Sequence, residues 1–220
     1  MIKLQKTQPA PASLSSQECR DTLEAIRIKK ENGEEVTVKD YGTLYGKEDV
    51  RQQLMDDQDK KCAYCEKTLV DEQRHVDHYR PKSLYYELAF TWDNLVGACW
   101  SCNKDKGNQF PLDDELKRFT KREIPLLINP YLEDPSEYIA FHEEVAVPKK
   151  GLTGLKLKKA EKTIELLLKR DALENRRRNK WQLYKEAQKR LVDKPIELQS
   201  YLDFLSNKEQ EFSGMFKYQQ

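Results

Sequence analysis

The pattern of apolar and polar positions predicts a mainly helical protein. A Pro-, Ala- and Ser-rich stretch over residues 7–16 reads as an extended arm, and a helix is predicted over 17–30, ended by Asn32-Gly33. The apolar positions Val50, Leu54 and Met55 predict a second helix over 47–59. Short strands are expected after it.

The C-terminal half is predicted to be an irregular connection followed by helices. Residues 110–135 contain turn-forming prolines, and two short strand-like runs follow near 138–147. Two apolar sets at helical spacing then predict two amphipathic helices, Ile164-Leu167-Leu168-Ala172 and Trp181-Tyr184-Gln188-Leu191. A third helix is predicted from about Pro195 to Phe212, because proline suits a first helical turn.

The amino-acid composition is typical of a globular protein with a hydrophobic core of modest size. Of its 220 residues, 38% are hydrophobic and 35% are charged, so one main body with appendages is expected. No stretch approaches the roughly 20 apolar residues of a membrane span, and no apolar leader follows the first charges. We therefore expect a cytoplasmic protein with no membrane partner.

Charge is distributed unevenly along the chain. The formal net charge is +1, yet residues 146–194 hold 16 Lys and Arg against 6 Asp and Glu, which makes this basic segment +10 and the remainder −9. The basic segment could follow a phosphate backbone or dock on an acidic partner surface. The plainer interpretation is that its lysine-rich helix faces are solvated.

Four of the five cysteines form two C-x-x-C pairs, Cys62/Cys65 and Cys99/Cys102, separated by 33 residues. In a reducing compartment this spacing predicts a metal site and not disulfides. Four thiolates suit tetrahedral zinc, and a shell closed by four protein ligands predicts a structural ion. Cys19 lies in a predicted helix and is expected to be a small core residue.

The residues between the two pairs could carry hydrolytic chemistry. Asp77 and Asn103 offer a sparse set of oxygens that would leave positions on Mg²⁺ or Mn²⁺ for water and phosphate. Next to Asp77, His78 could take a proton from an attacking water, since imidazole is available near neutral pH. His75 could contact the scissile phosphate, contact the metal, or only support the loop.

The sequence D-H, then N-L, then C-N-x-x-K-G inside a C-x-x-C frame resembles the HNH (ββα-metal) nuclease family over residues 62–108. The resemblance implies an endonuclease that hydrolyses phosphodiester bonds with one catalytic divalent ion. The third motif letter is often His, and here the matching residue is Asn103.

Carried over position by position, the resemblance gives each motif residue a role. His78 would be the general base, while Asp77 and Asn103 would bind the catalytic ion. Asn94 would tie the loop between the two strands, and Lys106 would face a phosphate.

Longer motifs narrow the resemblance over about 40–180. C-A-Y-C-E, H-V-D-H-Y-R-P-K-S, F-x-W-D-N-L and C-N-x-x-K-G-N-Q-F-P are similar to the HNH subunits of Septu and retron-associated bacterial defence systems. This similarity implies an anti-phage effector regulated by an ABC-type ATPase, with nucleic acid as substrate and DNA favoured. An RNA-cleaving toxin-like effector and a catalytically idle, zinc-scaffolded binding subunit remain alternatives.

Two aromatic or basic features are open to more than one interpretation. Trp92 precedes Asn94 and could stack on a base, but core packing is the favoured role near a small zinc module. The run 176–178, three consecutive arginines, could grip phosphates, form a solvated face or contact a partner.

The fold class we predict is therefore α+β and mainly helical. A ββα-metal core stapled by a four-cysteine zinc site would lie between N- and C-terminal helical segments. The boundaries expected are 1–46 for the N-terminal arm and helix, 47–112 for the HNH core, and 113–220 for the irregular connection and helical lobe.

Overall fold

A computed structural model describes residues 1–70 and 73–220 of the chain. Its strands are β1 (His75–His78), β2 (Leu95–Ala98), β3 (Ile139–His142) and β4 (Val145–Pro148). Its α-helices are α1 (Gln17–Glu31), α2 (Glu48–Asp57), α3 (Trp100–Lys106), α4 (Gly154–Thr163), α5 (Asp171–Arg190), α6 (Pro195–Ser206) and α7 (Ser213–Lys217). The mainly helical α+β class is confirmed.

The chain folds into two compact units. The first unit comprises Gln5–Lys60 and Leu69–Phe110, and it contains α1, α2, β1, β2 and α3. The second comprises Met1–Leu4, Lys61–Thr68 and Pro111–Gln220, and it contains β3, β4 and α4 to α7. The division into 1–46, 47–112 and 113–220 stays a prediction.

In the first unit, β1 and β2 form an antiparallel pair with Asp77 opposite Val96 and His78 opposite Leu95. All four residues of β2 are buried, which explains its unbroken Leu-Val-Gly-Ala sequence. Helix α3 follows β2 directly and packs against β1. The result is a ββα arrangement in which one strand and one helix face each other.

Helix α2 is fastened to β2 by a single glutamine. The buried Gln58 amide donates to the Gly97 carbonyl at 2.9 Å and accepts from the Gly97 N–H at 2.7 Å. A side chain at position 97 would interfere, because an added Cβ would lie 2.6 Å from Met55 Cε and 2.8 Å from Gln58 Nε2. Glycine is thus required here for close approach.

We expect Gly97→Ala to lower the free energy of unfolding by about 1–3 kcal/mol, since Met55 must move and the paired Gln58 bonds must lengthen. Chemical denaturation of both proteins measures the difference. Gly46→Ala is the control, because its added Cβ would lie 3.4 Å from the nearest atom, in the Arg51 side chain, and would not clash. Equal stability of the two variants would contradict the close-packing argument.

Helix α1 confirms the helix predicted from residue 17. Ser16 caps its start by accepting a hydrogen bond from the Cys19 N–H. Cys19 is 2% exposed, and Ile26 on the same helix is 1% exposed, so both belong to the core. The expectation that Cys19 fills core space is confirmed.

In the second unit, β3 and β4 form an antiparallel hairpin and α4 runs on into a π-helical segment, Ile164–Leu168. The helix predicted from Pro195 ends at Ser206 and not at Phe212. Asn207 adopts extended backbone, and its side chain accepts from the Glu209 N–H at 3.0 Å. That local turn competes with continued helix and ends α6 early.

Acidic residues of the second unit neutralise much of the basic segment. Its lysines and arginines form ion pairs with acidic side chains outside residues 146–194: Lys156–Glu137, Lys158–Asp113, Lys159–Glu133, Arg176–Glu211, Arg178–Glu144 and Lys185–Glu143. An imbalance of +10 along the sequence is therefore much smaller in space. A continuous basic surface for nucleic acid does not follow from the segment's composition.

Arg177 is buried, and therefore has neither the solvated nor the partner-facing position that the sequence suggested for residues 176–178. Its side chain is 1% exposed, and its guanidinium donates to the Leu168 carbonyl at 3.1 Å. It also lies over the rings of Phe141 and Phe212, at 5.2 and 5.7 Å. Sequence spacing could not show this, because the residues that cover it are distant along the chain.

In the part of the chain that the structure describes, no helix is both long and apolar enough to cross a bilayer.

Candidate active site and metal centre

The two C-x-x-C pairs meet in space. Cys62 and Cys65 lie in and beside a turn, whereas Cys99 caps the start of α3 and Cys102 lies in its first turn. The Cys99 sulfur accepts from the Cys102 N–H at 3.4 Å. All four side chains are buried, and their sulfur atoms lie within 4.8 Å of one another.

This cluster fits a tetrahedral metal ion. Zinc–sulfur bonds of about 2.3 Å place the sulfurs of a tetrahedral site about 3.8 Å apart. The observed separations are compatible with that geometry, and each of the four candidate ligands is a buried thiol. These four cysteines could therefore bind a metal, as their spacing predicts.

A buried ion pair joins β1 to α3. Asp77 is 5% exposed, and the Lys106 ammonium, 0% exposed, lies 3.2 Å from its Oδ2 and 3.4 Å from its Oδ1. Lys106 also donates to the His78 carbonyl at 2.6 Å. Burial lowers the pKa of Lys106, and the charge of Asp77 opposes that shift.

Lys106 was expected to face a phosphate, and the structure places it differently. Its ammonium is enclosed between β1 and α3, where it serves as the counter-charge of Asp77. Asn103 is half-buried and lies one helical turn earlier on α3, so it lies on the same side of the helix as Lys106. The oxygens proposed as metal ligands therefore come from β1 and from the face of α3 that packs on it.

His78 has a defined tautomer. Its Nε2 lies 2.9 Å from the Ala89 carbonyl oxygen, which can only accept, so Nε2 carries the proton and Nδ1 holds the lone pair. Burial, with the nearby charge of Lys82, lowers the pKa of His78 to about 3. The imidazole is consequently neutral at pH 7 and able to accept a proton at Nδ1.

Asn94 holds the loop that joins β1 to β2. Its Oδ1 accepts from the Arg80 N–H at 2.8 Å, and its Nδ2 donates to the carbonyls of Arg80 at 3.0 Å and Leu88 at 3.2 Å. The geometry matches the loop-tying role expected from the motif.

His75 is half-buried at the start of β1, opposite Ala98. Strand alternation puts its side chain on the same face as Asp77 and on the opposite face from His78. Its role stays a prediction. Trp92, in contrast, is confirmed as a packing residue, since it is 7% exposed and the Lys6 ammonium lies 3.5 Å from its ring centroid.

Two residues near His78 were not predicted from the sequence to belong to the site. The Tyr45 ring meets the imidazole edge-on at a centroid distance of 4.7 Å, and the Lys82 ammonium lies 4.6 Å from the centre of that same Tyr45 ring. Lys82 is half-buried, so it, and not Lys106, is a partly accessible cation close to the imidazole. Its position four residues after His78 in the H-Y-R-P-K run was the available signal.

We expect Lys106→Met to lower the free energy of unfolding by about 3–5 kcal/mol, because the buried Asp77 carboxylate loses the cation supplied by Lys106. Urea denaturation without added divalent ions measures this. Lys104→Met is the matched control, since Lys104 lies exposed on the same helix with its ammonium 4.7 Å from the Trp100 ring. If both variants lose the same small amount, the ion pair is unimportant for stability.

Comparison with known proteins agrees with this geometry. Residues 62–109 match the model of the HNH endonuclease family, so the ββα unit and its cysteines form an HNH endonuclease domain. The chain is 31% identical over 199 residues to Septu protein PtuB of Bacillus mycoides (strain KBAB4), with 80% of this chain covered. Together these similarities support an HNH protein of the PtuB type.

Two further relatives come from the same kind of system. A Septu protein PtuB of Bacillus thuringiensis is 30% identical over 141 residues, which cover 63% of this chain. Septu protein PtuA of Bacillus mycoides (strain KBAB4) is 28% identical over 126 residues, covering 49% of this chain and 17% of PtuA. The matched region spans 66% of the length of the first PtuB, just under two thirds, and 46% of the length of the second.

Proposed function

We propose that this chain is a metal-dependent HNH endonuclease that serves as the effector nuclease of a Septu-type or retron-associated anti-phage complex. The observation that carries the proposal is the orientation of His78. Its Nε2–H is held by the Ala89 carbonyl, which leaves Nδ1 as the proton acceptor, and Asp77 is the residue before it on β1. Hydrolysis of a phosphodiester needs such a base near a cation-binding carboxylate.

Asp77 and Asn103 would hold the catalytic ion, Mg²⁺ or Mn²⁺. Their hard oxygen donors suit such ions, which when bound would stabilise negative charge on the phosphate and the leaving oxygen. His78 would accept the proton of the attacking water at Nδ1. An anionic phosphate next to the imidazole would raise the pKa of His78 from about 3 toward the neutral range and make it a better base.

Cys62, Cys65, Cys99 and Cys102 would hold zinc in a structural role. Four soft thiolates favour zinc among the common cellular ions, and a closed shell offers no position for a reacting water. The ion would fix the start of α3, which carries both Cys99 and Cys102 as well as the proposed ligand Asn103.

The proposed partner is the ABC-type ATPase of the same defence system, and the proposed compartment is the cytoplasm. The similarity to PtuB and PtuA supports a role in a Septu complex. DNA is the favoured substrate by family resemblance. An RNA-cleaving effector is the alternative with the same chemistry, and an idle binding subunit is disfavoured by the intact Asp77, His78, Asn94 and Asn103 set.

The test is a cleavage assay with the purified full chain, alone and with the ATPase, on plasmid DNA and on RNA in Mg²⁺ or Mn²⁺. We expect divalent-dependent cleavage that increases when the ATPase is present. No cleavage in either condition would overturn the nuclease proposal. Strong cleavage by the isolated chain, unchanged by the ATPase, would overturn the partner proposal alone.

A further inference from the structure

A closed loop projects from the second unit over residues 113–124. Leu112 and Pro125 form an antiparallel bridge at its base, and the Asp113 N–H donates to the Ile124 carbonyl at 3.0 Å. Leu112 is buried beside this bridge, and the Leu126 N–H donates to the Pro111 carbonyl at 2.8 Å. The two ends of the loop are therefore fixed, as in a compact Ω-type loop.

This loop presents an aromatic ring to solvent. Phe119 is 65% exposed, and its backbone has a φ of 64°, the left-handed conformation that residues with a Cβ disfavour. Its N–H donates to Glu123 Oε2 at 2.9 Å, which holds that conformation. Phe119 thus combines an exposed ring with a disfavoured backbone conformation, and strained residues of this kind concentrate at ligand contacts.

Two cations flank the ring. The basic residues before it are paired, Lys117 with Asp114 at 3.1 Å and Arg118 with Glu115 at 2.5 Å. Lys121 and Arg122, after the ring, are exposed, and in the described ranges 1–70 and 73–220 neither forms an ion pair. Two exposed cations thus follow the exposed ring within three positions along the chain.

We propose that the 113–124 loop binds a nucleic-acid strand, with Phe119 stacked on an unpaired base and Lys121 and Arg122 on the adjacent phosphates. The proposal rests on the proposed nuclease function for its ligand class. Base stacking on aromatic side chains combined with cationic contacts to phosphates is how single strands are bound. A protein contact is the alternative that the test below distinguishes.

The test measures binding separately from cleavage. The full chain carrying His78→Gln is titrated into fluorescein-labelled single-stranded DNA and RNA without added divalent ions, and fluorescence anisotropy is recorded over a range of NaCl concentrations. Adding Phe119→Ala should weaken binding about 10-fold, while Phe119→Tyr should retain it. Adding Lys121→Gln with Arg122→Gln should lower the slope of log affinity against log salt by about 1.4, at about 0.7 for every phosphate that is no longer neutralised.

Matched controls separate this loop from general surface effects. Phe204→Ala removes a ring that is 54% exposed on α6, and Lys189→Gln with Arg190→Gln removes an adjacent exposed Lys-Arg pair on α5. Both should leave affinity within about twofold. Circular dichroism melting curves verify that each variant is folded.

The loop and nuclease proposals fail differently. Binding unchanged by Phe119→Ala, or weakened equally by the controls, would overturn the loop proposal even if the wild-type chain cleaves. Unchanged binding together with lost co-purification with the ATPase would also overturn it, and would make the loop a protein contact. Binding that depends on Phe119 in a chain that cleaves nothing would support the loop and overturn the nuclease.

Discussion

Replacement of His78 by glutamine is expected to lower the rate of cleavage by about 10²–10⁴-fold, the usual contribution of a positioned general base. Glutamine is the sharper choice than alanine. His78 is 4% exposed and donates to the Ala89 carbonyl, so alanine would leave a cavity and a carbonyl without its donor. The glutamine amide can keep that hydrogen bond but cannot act as a base.

Single-turnover cleavage at saturating divalent ion measures this effect. The chain has three histidines, and the other two serve as controls for His78. His142→Ala, exposed on β3, should leave the rate unchanged. A large loss in His75→Ala with little loss in His78→Gln would move the base to His75, the next candidate on β1.

Cys99→Ala is expected to cost the protein its bound zinc and most of its folded stability. Structural zinc sites contribute directly to folding, and Cys99, which caps α3, would also ligate the proposed ion. We expect insoluble protein or a loss of cooperative unfolding, with zinc content well below about one ion per chain. Metal analysis and thermal unfolding measure these outcomes.

Cys19→Ala is the matched control, because Cys19 is equally buried but lies in α1 away from the other sulfurs in sequence. It should keep full zinc content and lose only the small free energy of one thiol. Asp77→Asn should also keep zinc while losing cleavage, and its unfolding curve shows how much stability is lost when the Lys106 ammonium has no counter-charge. A soluble, active Cys99→Ala protein would contradict the structural role of the cluster.

Local patterns predicted those features that depend on neighbouring residues. The helix from Gln17 follows from its serine cap and periodicity, and the cysteine cluster follows from two turns that each direct two sulfurs to one point. The ββα order was implied by the resemblance of the motif residues between the pairs to the HNH family. Each of these needs only spacing along the chain.

Long-range contacts explain what the sequence could not predict. Lys106 and Arg177 lie in helices whose sequence pattern suggests exposure, yet both are buried. Asp77 on another element balances the charge of Lys106, while two phenyl rings distant along the chain and the Leu168 carbonyl surround Arg177. Lysine and arginine are normally solvated, so burial becomes visible only when the partner is located. The sequence could not predict the contact of Tyr45 with His78 for the same reason, since 32 residues separate them.

The ion pair between Asp77 and Lys106 separates folding from activation. With its own cation in place, the carboxylate is electrostatically balanced before any divalent ion arrives, so the chain should fold cooperatively without Mg²⁺, whereas removal of an ion held by the four thiolates should unfold it. Under the proposed function, the chain can therefore be synthesised and folded before its catalytic ion binds. For an enzyme that would damage nucleic acid, the loading step would then be a point of control at which the dormant chain stays folded.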